Sequence, residues 1–137
     1  MADNSFLLKI TTPDGKKFED NVEMANFTLS DGAIGILKGH TPLVGVIEIS
    51  IMNYKKNNEF YNIAIEGGIL QVGQNQVNVL ADAFETQDEI DFQRALKAKQ
   101  KAEDSLKKTI DKDSEDYSKA EVALKRALNR LKLNDKK

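Results

Sequence analysis

Arginine occupies only three positions in this 137-residue sequence, and their spacing is suited to anion binding. Of 20 basic residues, only Arg94, Arg126 and Arg130 are arginines. A guanidinium group binds phosphate or carboxylate through two parallel hydrogen bonds, which an ammonium group cannot form. Arg126 and Arg130 are four residues apart, so a helix would place them on one face. Spacing alone leaves open the alternative that all three are solvated helix charges beside ion pairs such as Glu121–Lys125.

Two further side chains could take part in binding or catalysis. Asp91 could pair with Arg94 or accept hydrogen bonds from a ligand amine, or it could be a first-turn carboxylate that the helix dipole favours. His40 is the only histidine, and no acid or nucleophile lies at a catalytic spacing from it. One histidine and no cysteine exclude a multi-histidine or thiolate metal site. No phosphate-binding loop or nucleophile elbow is present, so we expect neither catalysis nor a metal site.

Charge is distributed unevenly along the chain. Residues 1–85 carry six lysines against 11 acidic side chains, whereas residues 86–137 carry 14 basic against 11 acidic side chains. A nucleic-acid-binding protein would have a larger and more coherent basic surface, so no nucleic-acid partner is expected. No apolar segment approaches the roughly 18 residues that span a bilayer, so we expect no membrane insertion. The N-terminus also lacks the pattern of a secretion signal.

Residues 1–85 are rich in β-branched residues, glycine and aromatics, and they predict many short strands. Alternating apolar side chains in Phe6–Thr11 predict the first strand. A slip of the apolar phase between Met24 and Phe27 predicts a bulge or a twist in the strand. Gly67-Gly68 is expected to interrupt a strand. Strands spaced by about ten residues with turn residues between them predict an antiparallel β-sandwich or flattened barrel.

Residues 86–137 contain no glycine or proline and predict two helices of about 20 residues joined by a polar turn. Thr86-Gln87-Asp88-Glu89 has the form of a capping box, which predicts that the first helix begins there. Apolar residues at helical spacing predict an antiparallel hairpin. Alanine buries little apolar area, so a hairpin closed by alanines is expected to dock on the body, hold a ligand or open. The alanines expected between the helices are Ala95, Ala98, Ala102, Ala120, Ala123 and Ala127.

A family pattern becomes visible when six segments are taken together in order and spacing. These segments are Thr12–Gly15, Gly35–Leu43, Glu66–Val72, Val79–Asp82, Ile90–Ala95 and Ala123–Leu131. With them the chain resembles the epsilon subunit of bacterial F-type ATP synthases along its whole length.

The resemblance implies an N-terminal antiparallel β-sandwich, residues 1–85, and a C-terminal two-helix hairpin, residues 86–137. It implies a non-catalytic central-stalk subunit that binds the gamma subunit and the membrane rotor ring at the cytoplasmic face of the bacterial membrane. In that family the hairpin docks on the body or extends along gamma towards the alpha and beta catalytic subunits. The extended form inhibits ATP hydrolysis.

Some members of the family bind ATP in the hairpin, which holds the docked state. Lys101 stands where nucleotide-binding relatives often carry arginine, which implies weaker phosphate binding because lysine lacks the guanidinium fork. ATP is therefore expected as a regulatory ligand and not as a required cofactor, with the participation of magnesium left open. The residues that match the family's ATP motif are Ile90, Asp91, Arg94, Ala95, Arg126 and Arg130, with Glu85 at an upstream acidic position.

The expected contact with the rotor ring is formed by Asp31 and His40. Family members often carry Gly-Glu-Leu-Gly where this chain has Gly32-Ala33-Ile34-Gly35, so the resemblance leaves the acidic side of the contact to Asp31. Lys38 replaces a proline that often precedes the Gly-His pair. A different class of function also stays open, namely a stand-alone β-sandwich binding module with a helical oligomerisation tail.

Overall fold

The structure, a computed structural model, describes residues 4–109 and 111–133. Contacts between Cα atoms divide the chain into two compact units, Met1–Gln87 and Asp88–Lys137. The first unit is formed by strands and the second by two helices, which confirms the predicted fold class.

Eight strands form the first unit, and in β1, β3 and β7 buried side chains alternate with half-buried or exposed ones, as in a strand with one face on the core. The strands are β1 (Phe6–Thr11), β2 (Lys17–Val22), β3 (Met24–Leu29), β4 (Gly32–Ile36), β5 (Leu43–Lys56), β6 (Glu59–Gly73), β7 (Gln76–Ala81) and β8 (Phe84–Thr86).

The strands follow the order β2-β1-β7-β6-β5-β3-β4, and β8 pairs with β6. All pairs are antiparallel except β1 with β7, which run parallel. The predicted β-sandwich is therefore confirmed, with a mixed sheet in place of an antiparallel one. The predicted bulge is also present, because the register between β3 and β5 shifts between Asn26 and Leu29.

The core of this unit is formed by aliphatic side chains from β1, β6 and β7 together with aromatic residues from β3 and β8. Leu8, Ile10, Ile65, Leu70 and Val79 are completely buried. Complete burial of such a side chain stabilises a fold by about 1.5–3 kcal/mol. All members of the buried cluster lie within residues 6–84, so this unit has a core of its own.

One prediction about the strands was wrong. Gly67 and Gly68 do not separate two strands, because β6 runs without interruption from Glu59 to Gly73. Both glycines adopt positive φ angles, +91° and +152°, and remain within the β6 ladder, where Gly68 pairs with Ala81. The strand therefore continues through both glycines.

The second unit contains helices α1 (Phe92–Lys108) and α2 (Glu115–Lys132). Ser114 caps α2 by accepting a hydrogen bond from the backbone amide of Tyr117, at 3.2 Å. The buried alanines Ala95, Ala102, Ala120 and Ala127 come from both helices, whereas Ala123 is exposed. Within the described residues, neither helix is long and apolar enough to cross a membrane.

Candidate functional site

The site predicted from the arginines includes the start of α1. The residue that caps α1 lies five positions later in the sequence than the capping-box pattern implied. Gln87–Glu89 forms a short 3-10 helix, and Thr86 belongs to β8, where it pairs with Ile63. The residue that caps α1 is Asp91, whose carboxylate accepts a hydrogen bond from the backbone amide of Arg94 at 3.0 Å. The prediction that Thr86 caps the helix was therefore wrong.

This capping contact agrees with the second role considered for Asp91, that of a carboxylate at the start of the helix. Its carboxylate is bound to a backbone amide at the helix start, where the helix dipole also favours a negative charge. Arg94 lies on the first turn of α1, and its side chain is exposed. Its own backbone amide is the one that Asp91 caps. Asp91 therefore stabilises the backbone conformation of Arg94 at the start of α1.

A groove of about 560 Å³ runs between α1 and α2. Its floor is apolar because alanine side chains are too short to fill the space between two helices. Among the residues that line it are Ala98, Lys101, Ala102 and Ser105 from α1, and Ala120 and Ala123 from α2.

Helical spacing relates the three arginines to this groove. With 3.6 residues per turn, Arg94 lies on the face of α1 that also carries Ala98 and Lys101. On α2, Arg130 shares the face of Ala123, and Arg126 lies at the margin of that face. Arg126 and Arg130 are half-buried, whereas Arg94 and Lys101 are exposed. The four cationic side chains thus lie along the groove-bearing faces of the two helices, and their convergence on one ligand stays a prediction.

The remaining residues of the predicted nucleotide site are apolar or lie in the other unit. Ile90 and Ala95 are buried, at 8% and 2% exposure. Glu85 lies in β8, pairs with Ala64 of β6 and is half-buried in the β-sandwich unit.

The residues predicted to contact the rotor ring lie on either side of β4. Asp31 is exposed in the turn between β3 and β4, and His40 lies in the loop between β4 and β5. The loop holds His40 firmly, because its Nδ1 donates to the Thr41 carbonyl at 2.6 Å and its backbone amide donates to the Leu37 carbonyl at 3.1 Å. The two side chains are thus presented by separate turns.

An exposed apolar patch on the β-sandwich was not predicted from the sequence. Val44 and Val46 of β5 are 73% and 51% exposed, and Leu80 of β7 is 49% exposed. Val46 pairs with Ile69 of β6, which pairs with Leu80, so these side chains form a continuous row across three strands. We call Val44, Val46, Ile69 and Leu80 the outer patch. The sequence signal for this patch was the run from Leu43 to Ile47, in which every residue except Gly45 is apolar. A strand with one face in water normally alternates apolar with polar residues.

Comparison with solved structures defines the fold first. The chain matches a chain of the Euglena gracilis mitochondrial ATP synthase with a TM-score of 0.77 at 20% identity, covering 91% of this chain and 78% of the other. It matches a chain of the Tetrahymena thermophila mitochondrial ATP synthase central stalk and c-ring with a TM-score of 0.57 at 14% identity, covering 95% and 93%. The architecture is therefore one that occurs in ATP synthases.

Sequence comparison identifies the family. Residues 5–87 match the ATP synthase delta/epsilon chain β-sandwich domain, and residues 88–133 match its long α-helix domain. The ATP synthase epsilon chain of Bacillus velezensis is 43% identical over 124 residues, covering 90% of this chain and 92% of the relative. That of Caldicellulosiruptor bescii is 44% identical over 128 residues, covering 93% and 92%. The chain belongs to the ATP synthase delta/epsilon family as an epsilon subunit of the F-type enzyme, which is a non-catalytic subunit.

Proposed function

We propose that this epsilon subunit is a rotor component of the central stalk, and that its hairpin inhibits ATP hydrolysis when it extends and binds ATP when it is docked. The proposal rests on the similarity to epsilon chains over at least 90% of the sequence, together with the separation of a β-sandwich and a helical hairpin. The partners proposed are the gamma subunit and the membrane rotor ring, and the alpha and beta catalytic subunits in the extended state.

The outer patch is the proposed binding surface for gamma. An exposed apolar row on a β-sheet is unfavourable in water unless a partner covers it, and such patches mark interaction sites. The row is uncharged across three strands, which suits the apolar centre of a permanent interface. The similar Tetrahymena chain belongs to a structure of a central stalk and c-ring, which is consistent with a stalk location.

Val46→Asp is expected to weaken binding of purified gamma by about 2 kcal/mol, or roughly 30-fold, because a charge would be buried at the centre of the contact. The dissociation constant can be measured by biolayer interferometry with immobilised gamma. Phe60→Asp is the matched control, since Phe60 is 55% exposed on β6 and lies outside the patch. Equal affinities for the two variants would contradict this assignment, and failure of the unmodified chain to bind gamma would contradict the proposed function itself.

Asp31 and His40 are the proposed contacts with the rotor ring. Both belong to the turns on either side of β4, and both are presented by the same β-sandwich that carries the outer patch. A carboxylate and an imidazole can form charge-assisted hydrogen bonds with polar loops of a partner. These contacts would couple the stalk to the ring as it rotates.

The hairpin is proposed to bind ATP through Arg94, Arg126 and Arg130, with Lys101 beside them. The support is that these cations lie along the groove-bearing faces of α1 and α2. A polyphosphate would offset their mutual repulsion and would link two helices that bury mainly alanine between them. Glu85, Ile90, Asp91 and Ala95 complete the proposed site, with Asp91 acting through its cap on α1.

Lys101→Arg is expected to tighten ATP binding by about 3- to 10-fold, because a guanidinium can form a second hydrogen bond to the phosphates. Lys101 is exposed and lines the groove, so arginine fits there without repacking. Isothermal titration calorimetry of the isolated chain, with and without magnesium, measures the change. Lys107→Arg is the control, because Lys107 is exposed and helical spacing places it on the face of α1 opposite to Arg94. An equal gain in both variants would show that the effect is not specific to the groove.

A further inference from the structure

The turn between β1 and β2 lies beside β8, the last strand before the hairpin unit. Thr11, the last residue of β1, pairs with Leu80 of β7, and these two strands run parallel. Their continuations therefore run side by side, because β1 continues into the turn at residues 12–16 and β7 continues into β8 after two residues. None of the residues assigned above to gamma, the rotor ring or ATP belongs to this turn.

Hydrogen bonds within the turn hold the backbone of Lys16. The Thr12 amide donates to the Lys16 carbonyl at 3.0 Å, and the Lys16 amide donates to the Thr12 hydroxyl oxygen, also at 3.0 Å. The Gly15 amide donates to the Thr12 carbonyl at 3.1 Å, and the φ angle of Gly15, +95°, is one that glycine adopts without strain. The side chain of Lys16 therefore starts from a fixed backbone position.

The Lys16 side chain makes two contacts with one residue of β8. Its ammonium group donates a hydrogen bond to the Phe84 carbonyl at 2.8 Å and lies 4.5 Å from the centroid of the Phe84 ring. The first contact is a charge-assisted hydrogen bond and the second is a cation–π contact, and both are stronger where water is partly excluded. Lys16 is half-buried and Phe84 is 4% exposed, so this pair meets that condition.

The carbonyl that Lys16 binds is one that the β8–β6 ladder does not use. The Glu66 amide donates to the Ala83 carbonyl at 2.9 Å, so Ala83 directs its carbonyl towards β6. Successive residues of an antiparallel strand direct their backbone groups to opposite sides, so those of Phe84 are directed away from β6. Lys16 therefore adds a hydrogen bond to β8 on the side opposite its ladder.

The state of β8 determines how much chain connects the β-sandwich to the hairpin. β8 is only three residues long and, within the described part of the chain, pairs with β6 alone. With β8 paired, five residues, 87–91, connect it to the first residue of α1 and can span at most about 18 Å. If β8 leaves the ladder, its own three residues lengthen the connection to at most about 29 Å.

We propose that Lys16 retains β8 in its ladder and thereby controls how readily the hairpin extends, which makes Lys16 a positioning residue. While the ammonium group binds Phe84, β8 stays paired and the connection to the hairpin stays short. When this contact is lost, β8 opens and the connection gains three residues. The consequence for the hairpin rests on the proposed function, in which the extended form inhibits ATP hydrolysis, whereas the retention of β8 does not.

Hydrogen–deuterium exchange of the full chain, resolved by residue with NMR, tests the retention of β8. Glu85 pairs with Ala64 of β6, so exchange of its amide reports the opening of β8. Lys16→Met keeps an apolar stem and removes the ammonium group, and it is expected to speed exchange of the Glu85 amide about tenfold. Lys16→Arg should stay within about threefold of the unmodified chain, because a guanidinium can donate to the same carbonyl and stack on the same ring.

Two controls separate a local effect on β8 from a general one. Lys17→Met removes the neighbouring charge, which is exposed and lies 3.8 Å from the Glu19 carboxylate, and it should leave exchange at Glu85 unchanged. The amide of Val79 in β7 reports opening of the whole β-sandwich, because Val79 is completely buried. Equal exchange at Glu85 in Lys16→Met and Lys17→Met, or equal acceleration at Glu85 and Val79, would overturn the proposal.

ATP hydrolysis by the complete F-type enzyme, assembled with each variant, tests the consequence for the hairpin. Lys16→Met is expected to lower the rate of hydrolysis about two- to threefold, whereas Lys16→Arg and Lys17→Met should leave it unchanged. Faster exchange at Glu85 with an unchanged rate would overturn the connection between β8 and the hairpin. An unmodified chain that does not inhibit hydrolysis would contradict the proposed function, and the exchange experiment would still decide whether Lys16 retains β8.

Discussion

Replacing Gly68 with alanine is expected to lower the free energy of unfolding of the β-sandwich by about 3–5 kcal/mol, because steric overlap and backbone strain act together. A Cβ atom at this position would lie 2.3 Å from the carbonyl oxygen of Leu80 and 2.8 Å from the Cα of Ala81. Both contacts are with backbone of β7, which pairs with β6 along this stretch and cannot move without breaking the ladder. The φ angle of +152° adds strain for any residue with a side chain.

Gly73 provides the matched control in the same strand. A Cβ atom there would lie 3.8 Å from its nearest neighbour, which is ordinary contact, and Gly73 has no positive φ. We expect Gly73→Ala to change the unfolding free energy by less than about 1 kcal/mol. Urea unfolding followed by circular dichroism measures both variants. Equal stability of Gly68→Ala and Gly73→Ala would show that β7 does not approach β6 as closely as described.

The same glycine illustrates what could not be predicted from the sequence. Gly67-Gly68 was expected to interrupt a strand, since glycine is unfavourable within one. The reason for glycine lies in β7, whose backbone comes too close for a side chain, and this contact joins residues 12 positions apart in the sequence. The sequence shows that a glycine is present at position 68, but only the fold shows that the backbone of Leu80 and Ala81 requires it.

Local patterns were sufficient where the physical cause was local. The alternation of apolar residues predicted β1, and its buried side chains follow that alternation without exception. The polar turn predicted between the two helices is also present, and Ser114 at its end caps α2. In these cases side-chain spacing and hydrogen bonding within a few residues determine the structure.

The start of α1 was mispredicted because two capping residues competed. Thr86 fits a capping box, but its backbone pairs with Ile63 in the β8–β6 ladder. Thr86 precedes only the short 3-10 helix Gln87–Glu89, and α1 begins after it. The residue that caps α1 is Asp91, which lies beyond the ladder and accepts a hydrogen bond from the amide of Arg94. Pairing between β8 and β6 is a long-range contact, and the sequence near Thr86 contains no sign of it. The cap nevertheless joins two residues of the predicted site, because the Asp91 carboxylate accepts a hydrogen bond from the backbone amide of Arg94.

The outer patch shows why some candidate sites cannot be predicted from spacing. Residue spacing on a helix identified which faces carry arginine, because helical geometry is periodic. The outer patch is formed across three strands, and its members Val46 and Leu80 are distant in the sequence. Such sites depend on sheet register, which apolar alternation in a single strand does not specify.

Arg126→Ala is expected to weaken ATP binding by about 1.5–3 kcal/mol, or roughly 10- to 150-fold, which is the range for a hydrogen bond to a charged group. Arg126 is half-buried at the margin of the groove face of α2, so a phosphate bound there would be partly shielded from water. Arg126→Lys should recover only part of the affinity, because it restores the charge without the guanidinium fork. Titration calorimetry of the isolated chain measures all three proteins.

The neighbouring residue separates a specific contact from a general effect of charge. Lys125→Ala removes the same charge from an exposed position that helical spacing places on the opposite face of α2. We expect its ATP affinity to stay within about twofold of the unmodified chain, because exposed charges are screened at physiological salt. Equal losses of ATP affinity in Arg126→Ala and Lys125→Ala would mean that ATP binding depends only on the total basic charge of the helices. A specific loss in Arg126→Ala would instead connect nucleotide binding to the face where the two helices meet. It would thereby connect nucleotide binding to the closing of a hairpin whose helices bury mainly alanine.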